Sequence, residues 1–480
     1  MRLLASFVML ASLAAAQDFD VVIVNGRVMD PETGLDAVRH LGIADGRIAA
    51  IGETPLEGVD RIDATGLVVA PGFIDLHAHG QDPVSNRLQA ADGVTTALEM
   101  EVGVYPVGEW LTSREGALIH YGATVGHWPA RASLMDGIAL KHLPTLPPEE
   151  QAELNEGQHA YQDATEAEIE ELSAMLARGL DEGALGVGFG LTYTPGASRV
   201  EIVRLFELAA SRGVPIYIHV RGEGSGGTLG AFQEVIANAA ATGVSAHIVH
   251  LNSSAGELAK VVLQMIRGAQ QRGLDVTTEA YPYTAGSTLI QSALFDTWQD
   301  LTDEDYQQLQ WPATGERLTT ESFTRYRQQG GWVIIHGRSE ATNEWITAQP
   351  DVIVASDGIP YLYGPAHPRG AGTYSRVLGH YVRERQALSL MDALRKMTLL
   401  PAQRLEAAAP VMRQKGRVRV GADADLAIFD PETVLDRSTY LQGDTPSAGM
   451  HHVLVGGTFV VRDSKLVEGV APGRPVLGAR

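Results

Sequence analysis

The chain has 480 residues, 45% hydrophobic and 20% charged, enough apolar material for a large globular core. Its formal net charge of −21 argues against nucleic acid as a partner. It contains no cysteine, which excludes disulfides, thiolate nucleophiles and thiolate metal ligands; any metal must be held by His, Asp, Glu or a modified Lys.

The N-terminus reads Met1-Arg2, an apolar run from Leu3 to Leu13, then Ala14-Ala15-Ala16 before Gln17. This pattern predicts a secretory signal peptide over residues 1–16 and an exported, periplasmic or secreted mature protein. The run is short for a bilayer and no later stretch qualifies, so no membrane span is expected.

From Phe19 to about Ile62, short strands alternate with turns. Asn25-Gly26 and Asp45-Gly46 both read as hairpin signals. The same texture returns near the C-terminus, at Leu426-Ala427-Ile428-Phe429 and around Gly456-Gly457. Residues 17–70 and 412–480 are therefore expected to form one composite β domain.

Between these ends, apolar runs alternate with helical patterns, as in a parallel α/β barrel over 71–411. Candidate strands are 95–101, 123–127, 186–190, 216–219, 246–250, 276–280, 333–336 and 352–357. Residues 295–330 are polar and aromatic and read as an insertion or lid over the barrel mouth.

Phe73-Ile74-Asp75-Leu76-His77-Ala78-His79 ends a short strand in two histidines one residue apart. Residues i and i+2 of a strand share a face, so His77 and His79 can share a metal ion. His219, His250 and Asp357 each end another strand-like run. Either histidine taken alone reads more readily as a hydrogen-bonded core residue, and Asp357 alone as a turn aspartate. Four histidines and an aspartate at strand ends of one barrel favour an active site, which parallel barrels build at that end.

Together with Pro71-Gly72, Tyr281-Pro282-Tyr283, Ser356-Asp357-Gly358, the segment from His367 to Gly379 and Gly421-Ala422-Asp423-Ala424-Asp425, these residues resemble the amidohydrolase superfamily. Within it the chain is similar to the N-acyl-D-amino-acid deacylases. The resemblance implies a (β/α)8 TIM-like barrel with a small β-sandwich formed by both termini. It also implies one or two zinc ions per chain and a small-molecule amide substrate; a homo-oligomer is left open.

On that resemblance, His77 and His79 hold one zinc, His219 and His250 a second, and Glu101 bridges them. Asp357, also counted among the metal ligands, is the general base and then the acid. The family's metal-binding Cys is absent; ungapped counting puts Val102 opposite it, one residue beyond Glu101, and Glu99 on the same strand face is the second choice of bridge. Residues 183–195 hold no Lys that could be carboxylated. Asn252 stands where deacylases often have Lys, leaving Arg221 and Tyr283 as candidate carboxylate anchors. Their plain readings are an ion pair to Glu223 and a packing hydroxyl. Asn252, His367 and Arg369 are candidate substrate contacts, and His127 and His336 candidate neighbours of the site; His142 and His247 read as structural. A dipeptidase, a cyclic-amide hydrolase of the dihydropyrimidinase kind and an inactive scaffold remain the alternatives.

Overall fold

The computed structural model describes residues 19–138, 142–148, 150–151, 157–222 and 227–479. The leader expected at 1–16 and Glu223 lie outside the described residues.

Eight strands form the central sheet: β1 (Phe73–Asp75), β2 (Val94–Val104), β3 (His120–Gly126), β4 (Val187–Gly190), β5 (Ile216–His219), β6 (Ala246–Ile248), β7 (Val276–Ala280) and β8 (Val352–Val354). They pair in sequence order and every pair is parallel. An isolated parallel bridge between Ala78 and Gly358 joins the last strand to the first. Ser356 reinforces that seam by donating its backbone N–H to Asp75 Oδ1 at 3.0 Å. The strands are buried along most of their length, because helices cover the outside and side chains fill the inside. Helix Glu166–Asp181 is representative: a Thr165/Glu168 capping box starts it, and Ile169, Leu172 and Leu176 face the barrel.

Both chain ends build a second, nine-stranded mixed sheet. Strand Phe19–Asp30 pairs antiparallel with Leu35–Ala44 and in parallel with Gly58–Asp63 and Val68–Pro71. The C-terminal strand Leu426–Phe429 then adds to Val68–Pro71. The Asp45-Gly46 hairpin forms as expected, joining Leu35–Ala44 to Arg47–Gly52. Asn25-Gly26 does not turn the chain. It makes a bulge inside one continuous strand, where Asn25 takes φ 61° and a Cβ on Gly26 would lie 2.5 Å from Val69 Cγ2. Asp425 ties this sheet to the barrel, accepting from Lys415 Nζ at 2.6 Å, Gly456 N at 2.7 Å and His120 Nε2 at 3.1 Å.

The run at 333–336 is not a barrel strand. Trp332–Ile335 pairs antiparallel with Gly286–Leu289 and Leu309–Gln310 in a separate three-stranded sheet. With helix Thr320–Gln329 this sheet encloses its own core of Phe295, Tyr306, Trp311, Phe323 and Tyr326. That small unit contains the stretch 295–330, and its Leu289, Trp332 and Ile335 face the barrel-mouth cavity. Among the described residues, no helix is long and apolar enough to cross a membrane.

Candidate metal centre

The site lies at the C-terminal ends of the barrel strands. His77 and His79 follow β1, Glu101 lies on β2, His219 ends β5, His250 follows β6, and Asp357 follows β8. Two of these positions use left-handed backbone, His250 at φ 31° and Asp357 at φ 51°. Such conformations are costly outside glycine and cluster at functional sites. β2 is distorted where Glu101 sits: its pairing with β3 slips between Glu99 and Val104. Two neighbouring glycines admit the distorted backbone. A Cβ on Gly188 would lie 2.4 Å from Glu101 O, and one on Gly126 would lie 2.2 Å from Val102 O. The distortion aims the Glu101 carboxylate at the barrel axis.

Both histidine pairs converge on that carboxylate. Glu101 Oε2 lies 2.8 Å from His77 Nε2 and 3.0 Å from His79 Nε2. Glu101 Oε1 lies 2.6 Å from His219 Nδ1 and 3.4 Å from His250 Nε2. Asp357 Oδ1 is 3.4 Å from both His77 Nε2 and His79 Nε2. His77, His79, Glu101 and Asp357 make one group able to hold an ion; Glu101, His219 and His250 make a second.

Three of the histidines are held from behind. His77 Nδ1 meets Glu279 Oε1 at 2.6 Å, His79 Nδ1 meets Glu99 Oε2 at 2.8 Å, and His250 Nδ1 meets Ser254 Oγ at 2.9 Å. Each back nitrogen is engaged and each Nε2 faces the centre, as in histidines that ligate metals. Glu99 therefore backs His79 rather than bridging the two groups. The network extends one layer further. His247 Nε2 binds the other oxygen of Glu279 at 3.0 Å, and His142 Nε2 binds Glu99 Oε2 at 2.8 Å.

The electrostatics suit a cation. Glu99, Glu101, Glu279 and Asp357 are all buried, and among the described residues Arg369 is the only Lys or Arg ion-paired with any of them, 2.8 Å from Asp357. Burial alone would raise the Glu279 carboxyl, but His77 and His247 outweigh it and hold it at about 2. Burial likewise opposes charge on Asp357, yet Arg369 and the histidines keep it well below the usual carboxylate range. The closest contacts among the central donor atoms span 2.6–3.4 Å, and within each group all of them lie within 4.8 Å of one another. Ligands 2.0–2.1 Å from a tetrahedral zinc sit about 3.3 Å from one another, so the donor set fits such an ion.

The centre opens into a cavity of ≈ 350 Å³ whose walls include Trp128, Leu289, Trp332, Ile335, Arg338 and Arg369. Of the substrate contacts expected from the sequence, Arg369 and Arg221 line it. Arg221 is already paired, its Nε 3.0 Å from Glu234 Oε2. The other three are not among the lining residues. Asn252 donates both amide protons elsewhere, to Tyr281 O and Asn343 Oδ1 at 3.0 Å each. Tyr283 donates to Asp436 Oδ2 at 3.2 Å. His367 is buried between Ala285 O and the Arg369 backbone N–H, so it supports Arg369 from behind. His127 pairs with buried Glu201 and His336 with Gln310, each away from the centre. Sequence reasoning missed Glu279, His142, His247 and Arg338. For Glu279 the available signal was an acidic residue inside a strand that should be wholly apolar.

The sequence profile of the amidohydrolase family matches residues 60–134 and 149–461, and the chain belongs to that family. It is 31% identical to an N-acyl-D-glutamate deacylase of Alcaligenes xylosoxydans xylosoxydans, over 92% of this chain and 94% of that relative. The fold matches the crystal structure of N-acyl-D-glutamate deacylase from Bordetella bronchiseptica, complexed with zinc and a phosphonate inhibitor, with a TM-score of 0.79 at 27% identity. That match covers 96% of this chain and 100% of the other. A D-aminoacylase with a binuclear metal centre, in which one metal activates and the second attenuates, superimposes with a TM-score of 0.78 at 25% identity, over 96% of this chain and 100% of that one.

Proposed function

We propose that this protein is a zinc-dependent deacylase that hydrolyses the amide bond of N-acyl-amino acids, with the D configuration preferred. The observation that carries the reading is the convergence of His77, His79, His219 and His250 on one carboxylate, Glu101, with Asp357 beside them, at a cavity walled by both apolar and polar side chains. The deacylase activities of the most similar relatives support the bond type and the configuration.

His77, His79, Glu101 and Asp357 would hold one ion, and His219 and His250 a second that shares Glu101. Bound there, zinc supplies Lewis acidity, which eases deprotonation of water near neutral pH and polarises a carbonyl. The protein supplies the rest. Arg369 keeps Asp357 ionised and fixed in direction through the 2.8 Å ion pair. Asp357 can then accept a proton from the attacking water and return it to the departing amine nitrogen, one carboxyl serving as base and then acid. Trp128 and Trp332 wall the cavity, limit competing water and strengthen the electrostatic effects on the reacting amide. The anionic carboxylate layer of Glu99 and Glu279 fixes the ring orientation of His79 and His77.

The test is hydrolysis by zinc-loaded protein of a panel of N-acetyl-D- and N-acetyl-L-amino acids, dipeptides and hydantoins. Turnover confined to the N-acetyl-D-amino acids is expected. Turnover of hydantoins or dipeptides alone would refute the deacylase reading. Export with removal of residues 1–16 is part of the proposal and is supported by the leader pattern alone. N-terminal sequencing of protein from a periplasmic fraction should begin at Gln17; an intact Met1 there would contradict it.

A further inference from the structure

Three guanidinium groups line the cavity over the metal centre: Arg221, Arg338 and Arg369. Two are already neutralised, Arg221 by Glu234 at 3.0 Å and Arg369 by Asp357 at 2.8 Å. Arg338 is different. Its two hydrogen bonds go to neutral hydroxyls, from Nη2 to Ser253 Oγ at 2.7 Å and from Nη1 to Tyr281 OH at 3.0 Å. Among the described residues no carboxylate pairs with it. A half-buried cation without a counter-ion, in a chain of net charge −21, is electrostatically incomplete.

The guanidinium is also held in place. It lies against the backbone of Gly286, where a Cβ would come within 2.6 Å of Nη2 and 2.7 Å of Nη1. The Arg338 N–H donates to Thr284 O at 3.2 Å, fixing the start of the side chain. Ser253 sits next to Ser254, whose hydroxyl holds His250 Nδ1 at 2.9 Å. A single turn of chain therefore sets both a metal-facing histidine and the arginine. In an N-acyl-amino acid, the α-carboxylate and the scissile amide nitrogen are both attached to Cα. A substrate of this kind needs a cation at a fixed short remove from the centre that attacks its carbonyl.

We propose that Arg338 is the carboxylate anchor of this cavity, and that the cavity selects N-acyl-amino acids carrying one carboxylate and an apolar side chain. The proposal rests on the deacylase reading above. Arg338 offers a planar fork to the carboxylate, with Ser253 and Tyr281 keeping it flat and directed. Leu289, Trp332 and Ile335 provide the apolar wall. A second carboxylate on the substrate side chain would find no uncompensated cation among the described lining residues, so acidic amino acids are disfavoured.

The test uses zinc-loaded protein and the variants Arg338→Met, Arg338→Lys and Gly286→Ala. The substrates are N-acetyl-leucine of the accepted configuration, the matching N-acetyl-leucinamide and N-acetyl-glutamate. Loss of a charged, two-pronged contact should lower the kcat/KM ratio of N-acetyl-leucine over its amide on the order of 100-fold in Arg338→Met, mostly through KM. Arg338→Lys should recover part of that loss, and Gly286→Ala should raise KM by displacing the guanidinium. Wild-type protein should prefer N-acetyl-leucine to N-acetyl-glutamate by at least about 10-fold, since each extra buried charge must be desolvated without a partner. An unchanged ratio in Arg338→Met, or a wild-type preference for N-acetyl-glutamate, overturns the proposal.

Calorimetric titration with isovalerate, a monocarboxylate, separates the anchor from the reaction. If no N-acyl-amino acid is hydrolysed yet isovalerate binds wild type at least tenfold more tightly than Arg338→Met, the deacylase reading fails and the anchor stands. Equal binding to both, or no binding to wild type, removes the anchor while leaving the deacylase reading to the activity panel.

Discussion

Glu279 does not touch the cavity, yet it should control how tightly the metal is held. It lies buried between His77 Nδ1 at 2.6 Å and His247 Nε2 at 3.0 Å. Glu279→Gln can keep both hydrogen bonds. The amide oxygen accepts from His77, and the amide nitrogen donates to His247 once His247 carries its proton on Nδ1. There the proton can be donated to Thr277 Oγ1, 2.7 Å away. This variant removes charge with little change of shape. A charge-assisted hydrogen bond is worth about 1.5–3 kcal/mol and a neutral one about 1 kcal/mol, so the loss should be on the order of 1–2 kcal/mol, or about 10-fold in zinc affinity. Glu279→Leu deletes both acceptors and leaves two buried imidazoles unpartnered. Zinc affinity should then fall on the order of 100-fold or more. The assay is competition for zinc against a fluorescent chelator, with the melting temperature of metal-free protein measured in parallel. Zinc binding by folded Glu279→Leu within twofold of wild type would show that this carboxylate does not act through His77.

Asp357→Asn should lower kcat by about 10²–10⁴-fold, because the amide cannot accept the proton, while zinc content measured by elemental analysis is retained. Wild-type turnover in that variant would remove Asp357 from the chemistry. Glu101→Gln leaves one neutral carbonyl oxygen and an NH2 group between the two histidine pairs, so zinc per chain should drop and the remaining ion should dialyse away faster than from wild type. Unchanged stoichiometry and off-rate would refute the bridging role. Asp425→Ala takes the carboxylate from buried His120 and leaves Lys415 with Asp423 alone, 3.1 Å away, and should cost about 2 kcal/mol in denaturant unfolding. Burial opposes charge on Asp425, but Lys415 and His120 outweigh it and depress its folded pKa below the unfolded 3.8. Its stabilisation is therefore full above about pH 4 and is lost as pH falls further, so the gap between wild type and variant should narrow from pH 6 to pH 3. A gap that widens on acidification would reverse the assignment.

The centre was legible in the sequence because its residues mark strand ends. His77 and His79 share a face by the two-residue strand period, and His219, His250 and Asp357 each follow a short apolar run. Glu101 was legible only as one of two glutamates on a strand face; the slip in pairing before Val104, which separates their roles, leaves no periodic trace. Seven of the barrel strands could be placed from apolar runs together with the strand before His77. The run at 333–336 could not, since four apolar residues read the same in a parallel barrel and in the antiparallel sheet they join. Asn25-Gly26 supplied left-handed backbone, which serves a bulge as well as a turn.

Side-chain direction in loops was the main loss. Asn252, Tyr283 and His367 lie close to the site in sequence terms, but Asn343, Asp436 and Ala285 draw their polar atoms away from the cavity. Arg338 escaped notice because no spacing links it to Ser253 and Tyr281; only the fold brings the small sheet that precedes it over the barrel mouth. Glu279 and His247 form a pair across neighbouring strands, which a single chain read in order does not reveal.

The most direct test of the central claim is anomalous X-ray diffraction at the zinc edge from crystals of active, zinc-loaded protein. One peak enclosed by His77, His79, Glu101 and Asp357, with any second peak enclosed by Glu101, His219 and His250, is the predicted result. Zinc bound elsewhere, or full amide hydrolysis by protein with no density at either position, would contradict it.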